Sequence, residues 1–376
     1  MRLVVLFLFL GNAVYAQSSM ITKADSLFVN GNFSKAIAIY KTQTNQEEVY
    51  HKMARSYVAI GNYDKALEYY QLSVTSQPKE ALVLYEYAKL LSKTKKYEAA
   101  IEVFHQLMNI DYRNPNYHYE MGLAMERMND STAMNRFRAA YDLDNSHQKA
   151  IFKIAKHYLI KRKHDISLKY IDQGLENYKN NLELISLKAQ NYYYLNDYKN
   201  ARLWFQKLLD LGESSEFIHE KLSLIHAEFS DYELAIEQRK KALAFNPYDA
   251  NAMFVIGTYY NSLQDFVNAE KYMKQALALK DVPLDFEYQK LGIVLNQQKK
   301  HKEALAAFQT SLDENSENVG SAFFMVVTKD KYYEDIDTKI QLYQDFKEKF
   351  PDSFYSKFSE RRISELKEEK FMKDKE

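Results

Sequence analysis

The stretch HEKLSLIH, from His219 to His226, sets two imidazoles and a carboxylate in one run. Those residue types bind zinc or move protons. Their spacing argues against both uses. On a helix these two His residues stand roughly 10 Å apart along the axis, at 1.5 Å per residue, whereas a single metal needs ligands at i and i+4. No glycine-rich phosphate loop occurs, and no Gly-x-Ser-x-Gly elbow. With no cysteine, thiol catalysis, thiolate zinc sites and lipid attachment through cysteine are excluded. The carboxylates fall in patterns typical of solvated helix faces. The expectation is therefore no enzyme activity, no catalytic residue, no metal and no cofactor.

A second chemical candidate is NYYYLNDY, Asn191 to Tyr198, which looks like a stacking platform for sugars or bases. Its register, set out below, assigns Tyr192 and Tyr198 to the core. Tyr193 and Tyr194 remain as surface candidates. The charge balance speaks against nucleic acid, because Lys+Arg and Asp+Glu both number 51 and a nucleic-acid surface usually needs a basic excess.

The elements that hold these residues follow from composition and period. Hydrophobic residues are 46% of the 376, enough for an extensive core. Only 9 Gly and 5 Pro are present, which suits many helices joined by tight connections. The opening MRLVVLFLFLGNAVYAQ has one Arg, an apolar run from Leu3 to Leu10, and small residues at Val14 and Ala16. It is expected to be a leader over residues 1–16 that directs export, with the periplasm as destination. The alternative is an uncleaved anchor, although the run is shorter than the roughly 20 residues a spanning helix needs. After cleavage no membrane-spanning segment is expected.

A phrase then repeats. GNFSKAIAIY at Gly31 returns as GNYDKALEYY at Gly61. The small residue inside it falls at Ala36, Ala66, Ala100, Ala133, Ser167, Ala201, Ala235, Ala269 and Ala304, a period of about 34 that signals a stacked array. Gly61 can end one helix in the left-handed conformation, and Asn62 and Asp64 favour the start of the next. Ala66, Tyr70 and Ser73 share a face of that helix. The pairs Asn196-Asp197 and Gln264-Asp265 are expected to do the same work. In this register His219 and His226 take aromatic slots, and His164 and His301 stand where Tyr63 and Tyr198 stand, so flat rings used in packing are expected.

This pattern resembles the tetratricopeptide (TPR) repeat. One unit supplies Tyr50, Ala54, Tyr57, Gly61, Tyr63, Ala66, Tyr70 and Pro78, with Ser73 for the last Ala; another supplies Gly257, Tyr260, Phe266, Ala269 and Ala276. The resemblance spans residues 17–351 in about nine or ten tandem repeats. It implies an all-α, right-handed superhelical solenoid of antiparallel helix pairs. Residues 352–376 are expected to form a capping helix and charged tail, with Phe354, Phe358 and Leu366 inward. The first unit looks clipped near Gln43 to Gln46, and the fourth loses a residue around Met128 to Ser131.

The resemblance further implies a concave groove lined by the first helix of each pair, and hence a protein- or peptide-binding scaffold of the bacterial envelope. The groove positions would be Arg55, Lys89, Lys93, Arg127 and Lys156, interleaved with Tyr85, Tyr119 and Phe152. Such a surface favours an extended, acidic peptide through charge-assisted hydrogen bonds. The family's chaperone-tail clamp is not expected, since its Lys and Asn positions hold His51 and Arg55, or Tyr85 and Lys89. The alternative function is glycan or cell-wall binding through Tyr193 and neighbouring aromatics.

Overall fold

The structure, a computed structural model, describes residues 20–279, 284–332 and 335–373. The leader expected over residues 1–16 lies outside the described residues. Every regular element among those described is a helix, so the fold is all-α. The chain divides after Asn191 into two compact units.

The first unit begins with α1 (residues 20–29) and α2 (Phe33–Tyr40). It continues through α3 (Tyr50–Ala59), α4 (Tyr63–Ser76), α5 (Ala81–Lys93), α6 (Tyr97–Ile110), α7 (Pro115–Arg127), α8 (Ala133–Leu143), α9 (Gln148–Ile160) and α10 (His164–Asn177). The division falls within α11 (Leu182–Tyr194).

The α3–α4 connection shows why these residues fold as a pair. Gly61 adopts φ +78°. Its N–H reaches the Val58 carbonyl at 3.0 Å, and the Asn62 N–H reaches that of Tyr57 at 2.9 Å. These bonds satisfy carbonyls that a helix end otherwise leaves open. The Asn62 side chain then accepts from the Lys65 N–H at 3.1 Å, capping α4. The same left-handed residue recurs at Lys95, Asn129 and Arg162, with φ of 55° to 63° and no glycine to ease it.

Packing follows the period. Ala36, Ala66, Ala100 and Ser167 are fully buried, and Ala133 nearly so. Their small volume lets helix backbones approach, while the residue four later (Tyr40, Tyr70, Phe104, Phe137) fills the space between helices. In α7 the approach is closer still, since a Cβ added to Gly122 would meet Phe137 Cε1 at 2.8 Å. The clipped first unit appears as expected: α2 stops at Tyr40 and a 3₁₀ turn over Gln46–Val49 completes the connection.

The second unit holds α12 (Tyr198–Asp210), α13 (Glu216–Glu228), α14 (Tyr232–Phe245), α15 (Ala250–Ser262), α16 (Phe266–Leu277), α17 (Asp285–Gln297), α18 (His301–Glu314), α19 (Val319–Tyr332), α20 (Ile336–Lys349) and α21 (Phe354–Lys373). Asp197 and Asp265 cap their helices through Asn200 and Asn268 N–H groups at 3.1 Å. Ala201, Ala235, Ala269 and Ala304 are again fully buried.

The capping helix corrects one expectation. In α21 Leu366 is fully buried, but Phe354 and Phe358 are exposed. The buried stripe runs instead through Ser356, Ser359 and Leu366, where small serines let α21 lie close to its neighbours. Arg362 fastens it, with Nε donating to the buried Asp330 carboxylate at 2.9 Å, which Tyr343 Oη also reaches at 3.0 Å.

Candidate functional site

The first unit holds a cleft of about 570 Å³ lined by residues of α1, α3, α4 and α5. Phe28, Val58, Leu82 and Tyr85 give it an apolar floor, and Arg55, Lys89 and Lys93 give it a cationic rim. Leu82 is 65% exposed at the first turn of α5, an apolar side chain of the floor left open to solvent. Four residues read from the sequence, Arg55, Lys89, Lys93 and Tyr85, are thus brought together.

The cations are not idle. Arg55 Nε stands 3.7 Å from Glu86 Oε1, and Lys89 Nζ stands 3.6 Å from Glu120 Oε1. Lys52 Nζ donates to Asp25 Oδ2 at 2.6 Å, a first rung with the signs exchanged. Successive first helices of the pairs, α1, α3, α5 and α7, are therefore linked by a ladder of ion pairs. Each rung joins the residue just after a small slot to the residue two before the next one. Tyrosines support the acids: Tyr40 Oη donates to Asp25 at 2.6 Å and Tyr70 Oη to Glu86 at 3.0 Å. Burial, reinforced by Glu120, pushes the Tyr85 phenol up to about 12, so it stays a neutral donor. Lys93 Nζ lies 4.5 Å from the centroid of the Tyr63 ring and donates to its hydroxyl at 2.8 Å.

Other expected residues lie elsewhere. Lys156 is exposed on α9 with its Nζ 5.7 Å from the centroid of the half-buried Phe152. Arg127 is exposed at the end of α7. Tyr119 is buried, its ring against Phe137 and His147. Tyr193 belongs to the second unit, half-buried, with Lys221 Nζ 5.0 Å from its centroid and Tyr194 and Tyr198 against it.

The ladder acids Glu86 and Glu120 and the floor residues Phe28 and Leu82 escaped the sequence reading. Glu86 and Glu120 each stand two residues before a small slot, at Ala88 and Gly122. Comparing that register position across neighbouring repeats is the signal that finds them. Among the described residues, no cluster of His, Asp and Glu is placed to hold a metal, and no helix is long and apolar enough to cross a membrane.

Models of the tetratricopeptide repeat match residues 29–111 and 250–282. The first match includes much of the cleft. No curated protein matches the chain. Similar solved structures include YrrB, described as a TPR protein with an unusual peptide-binding site. It is 16% identical over 49% of this chain and 95% of that one, at a TM-score of 0.46. A tetratricopeptide repeat protein from Parabacteroides merdae is 13% identical over 66% and 98%, at 0.47. Yeast Tom70 is 13% identical over 95% and 96%, at 0.38.

Proposed function

We propose that this chain, a tetratricopeptide-repeat protein and in general a protein-interaction scaffold, holds an extended peptide of a partner protein in the cleft of its first unit. The carrying observation is the conjunction of an open apolar floor with three cations on one rim. An apolar side chain seated against Phe28, Leu82 and Tyr85 brings its neighbouring carboxylate within reach of Arg55 or Lys89. The role is binding, without catalysis, and it is exercised in the bacterial envelope, after export by the leader. Acidic character in the partner follows from the rim, where three cations, Arg55, Lys89 and Lys93, stand against two carboxylates, Glu86 and Glu120.

The test is capture from an envelope fraction. Arg55→Glu with Lys89→Glu replaces two positive charges on the rim with two negative ones. Loss of a partner that the unaltered chain retains supports the placement; undiminished capture refutes it. Retention of purified glycan, abolished by Tyr193→Ala, would instead carry the glycan reading.

A further inference from the structure

In the second unit one side chain breaks the packing rule. Four residues after each small slot stands an apolar or tyrosine side chain, as at Tyr70, Phe205 and Met273, but after Ala235 it is Arg239. The arginine side chain is 9% exposed. Its Nε has no hydrogen-bond partner. The carboxylate facing it, Glu220 Oε1, stands 3.9 Å from Nη1, and the same oxygen is 3.8 Å from Lys221 Nζ. Two cations therefore share one acid at distances beyond a hydrogen bond.

The neutral groups nearby are committed. Gln238 Oε1 takes the His219 ring at 2.7 Å, and Ser223 Oγ donates to the Ala235 carbonyl at 2.8 Å. The Tyr259 hydroxyl bears on Arg239 and Ser223 but carries no charge to offset the guanidinium. A buried guanidinium that is only loosely paired with its carboxylate and leaves Nε unsatisfied is a costly arrangement.

The slot also leads outward. Tyr70, in the equivalent place, sends its hydroxyl between first helices to Glu86 at the cleft. Arg239 likewise lies between Glu220 on α13, which is 37% exposed, and Tyr259 on α15.

We propose that Arg239 is the anchor of a carboxylate-binding site in the second unit, entered beside Glu220 and flanked by Lys221. Arg239 and Lys221 against Glu220 leave one positive charge, and Glu228, which also acts on Tyr259, further disfavours a phosphate dianion relative to a single carboxylate. This site is independent of the first-unit cleft.

Thermal melting of the full chain tests it, with N-acetylglycine as probe, its amide as neutral control and inorganic phosphate as competitor class, all at matched ionic strength. The expected result is a rise of about 3 °C at tenfold excess over the dissociation constant, none with the amide, and less with phosphate. Arg239→Met should melt higher than the unaltered chain and lose the response. Glu220→Gln, which removes the competing acid, should tighten binding by about tenfold. No response in the unaltered chain, a response kept by Arg239→Met, a stronger response to phosphate, or a lower melting point in Arg239→Met overturns the proposal. Should Arg239→Met fail to fold, Glu220→Gln decides alone: tighter binding supports the site, and unchanged binding removes it.

Discussion

Glu270, on α16, shows what single side chains contribute between repeats. Lys274 and Lys300 donate to its carboxylate at 2.8 and 2.6 Å, and Gln298 at 2.9 Å. Burial works against its charge, but these bonds outweigh burial and hold the carboxyl at about 2. The unfolded chain holds it near the ordinary 4.5. The stabilisation is therefore whole above about pH 5 and is lost as pH falls toward 2. Denaturant titrations across pH should show Glu270→Gln less stable by about 2 kcal/mol at pH 7, the difference shrinking toward pH 2. A pH-independent difference would contradict this account. At this scale the sequence revealed slots but not partners. His219 is buried in its aromatic slot as expected, whereas the pairing of Lys300 with Glu270 depends on which faces of successive helices meet.

The elements are punctuated by left-handed residues, and only some of them announce themselves. Gly31 and Gly61 are visible as glycines, and Asn196-Asp197 and Gln264-Asp265 as turn and cap chemistry. Lys95-Lys96 and Lys299-Lys300 are neither, yet Lys95 has φ 63° and Lys299 φ 62°, and neither Lys96 nor Lys300 supplies a capping bond. Period alone locates them, because packing of the pair forces the turn where residue preference does not. Lys95→Gly and Lys299→Gly should therefore each raise stability by about 0.5–1 kcal/mol, and Gly61→Ala should lower it by about 1 kcal/mol. Equilibrium unfolding would show the opposite signs if the left-handed strain were absent. The last helix marks the limit of hydrophobic pattern. Phe354 and Phe358 lie on one side of α21 and the serines on another, and close approach of backbones with the Arg362–Asp330 contact selected the serines.

For the molecule, the repeat was legible from Ala36 to Ala304 because it is written in volume, which a sequence displays directly. The candidate cleft was half legible: the cations and Tyr85 could be placed from register, and Glu86 only by comparing its position across neighbouring repeats, while Leu82 could not, since nothing in its type marks it as facing the same space. Capture through this cleft should weaken by about tenfold between 0.05 and 0.5 M salt, as screening shortens the reach of exposed charges. Salt-independent capture would assign the binding to the apolar floor alone.

The ladder of acids and bases along α1, α3, α5 and α7 also governs what an empty cleft does. Glu86 and Glu120 already occupy Arg55 and Lys89, so the protein carries its own placeholders. A stray polyanion must evict them and recovers little, since exposed pairs of this kind differ by no more than about 1 kcal/mol. Only a visitor that also covers the floor tips the exchange. The built-in acids thus make the surface selective by competition, and they return to their bases when the visitor leaves.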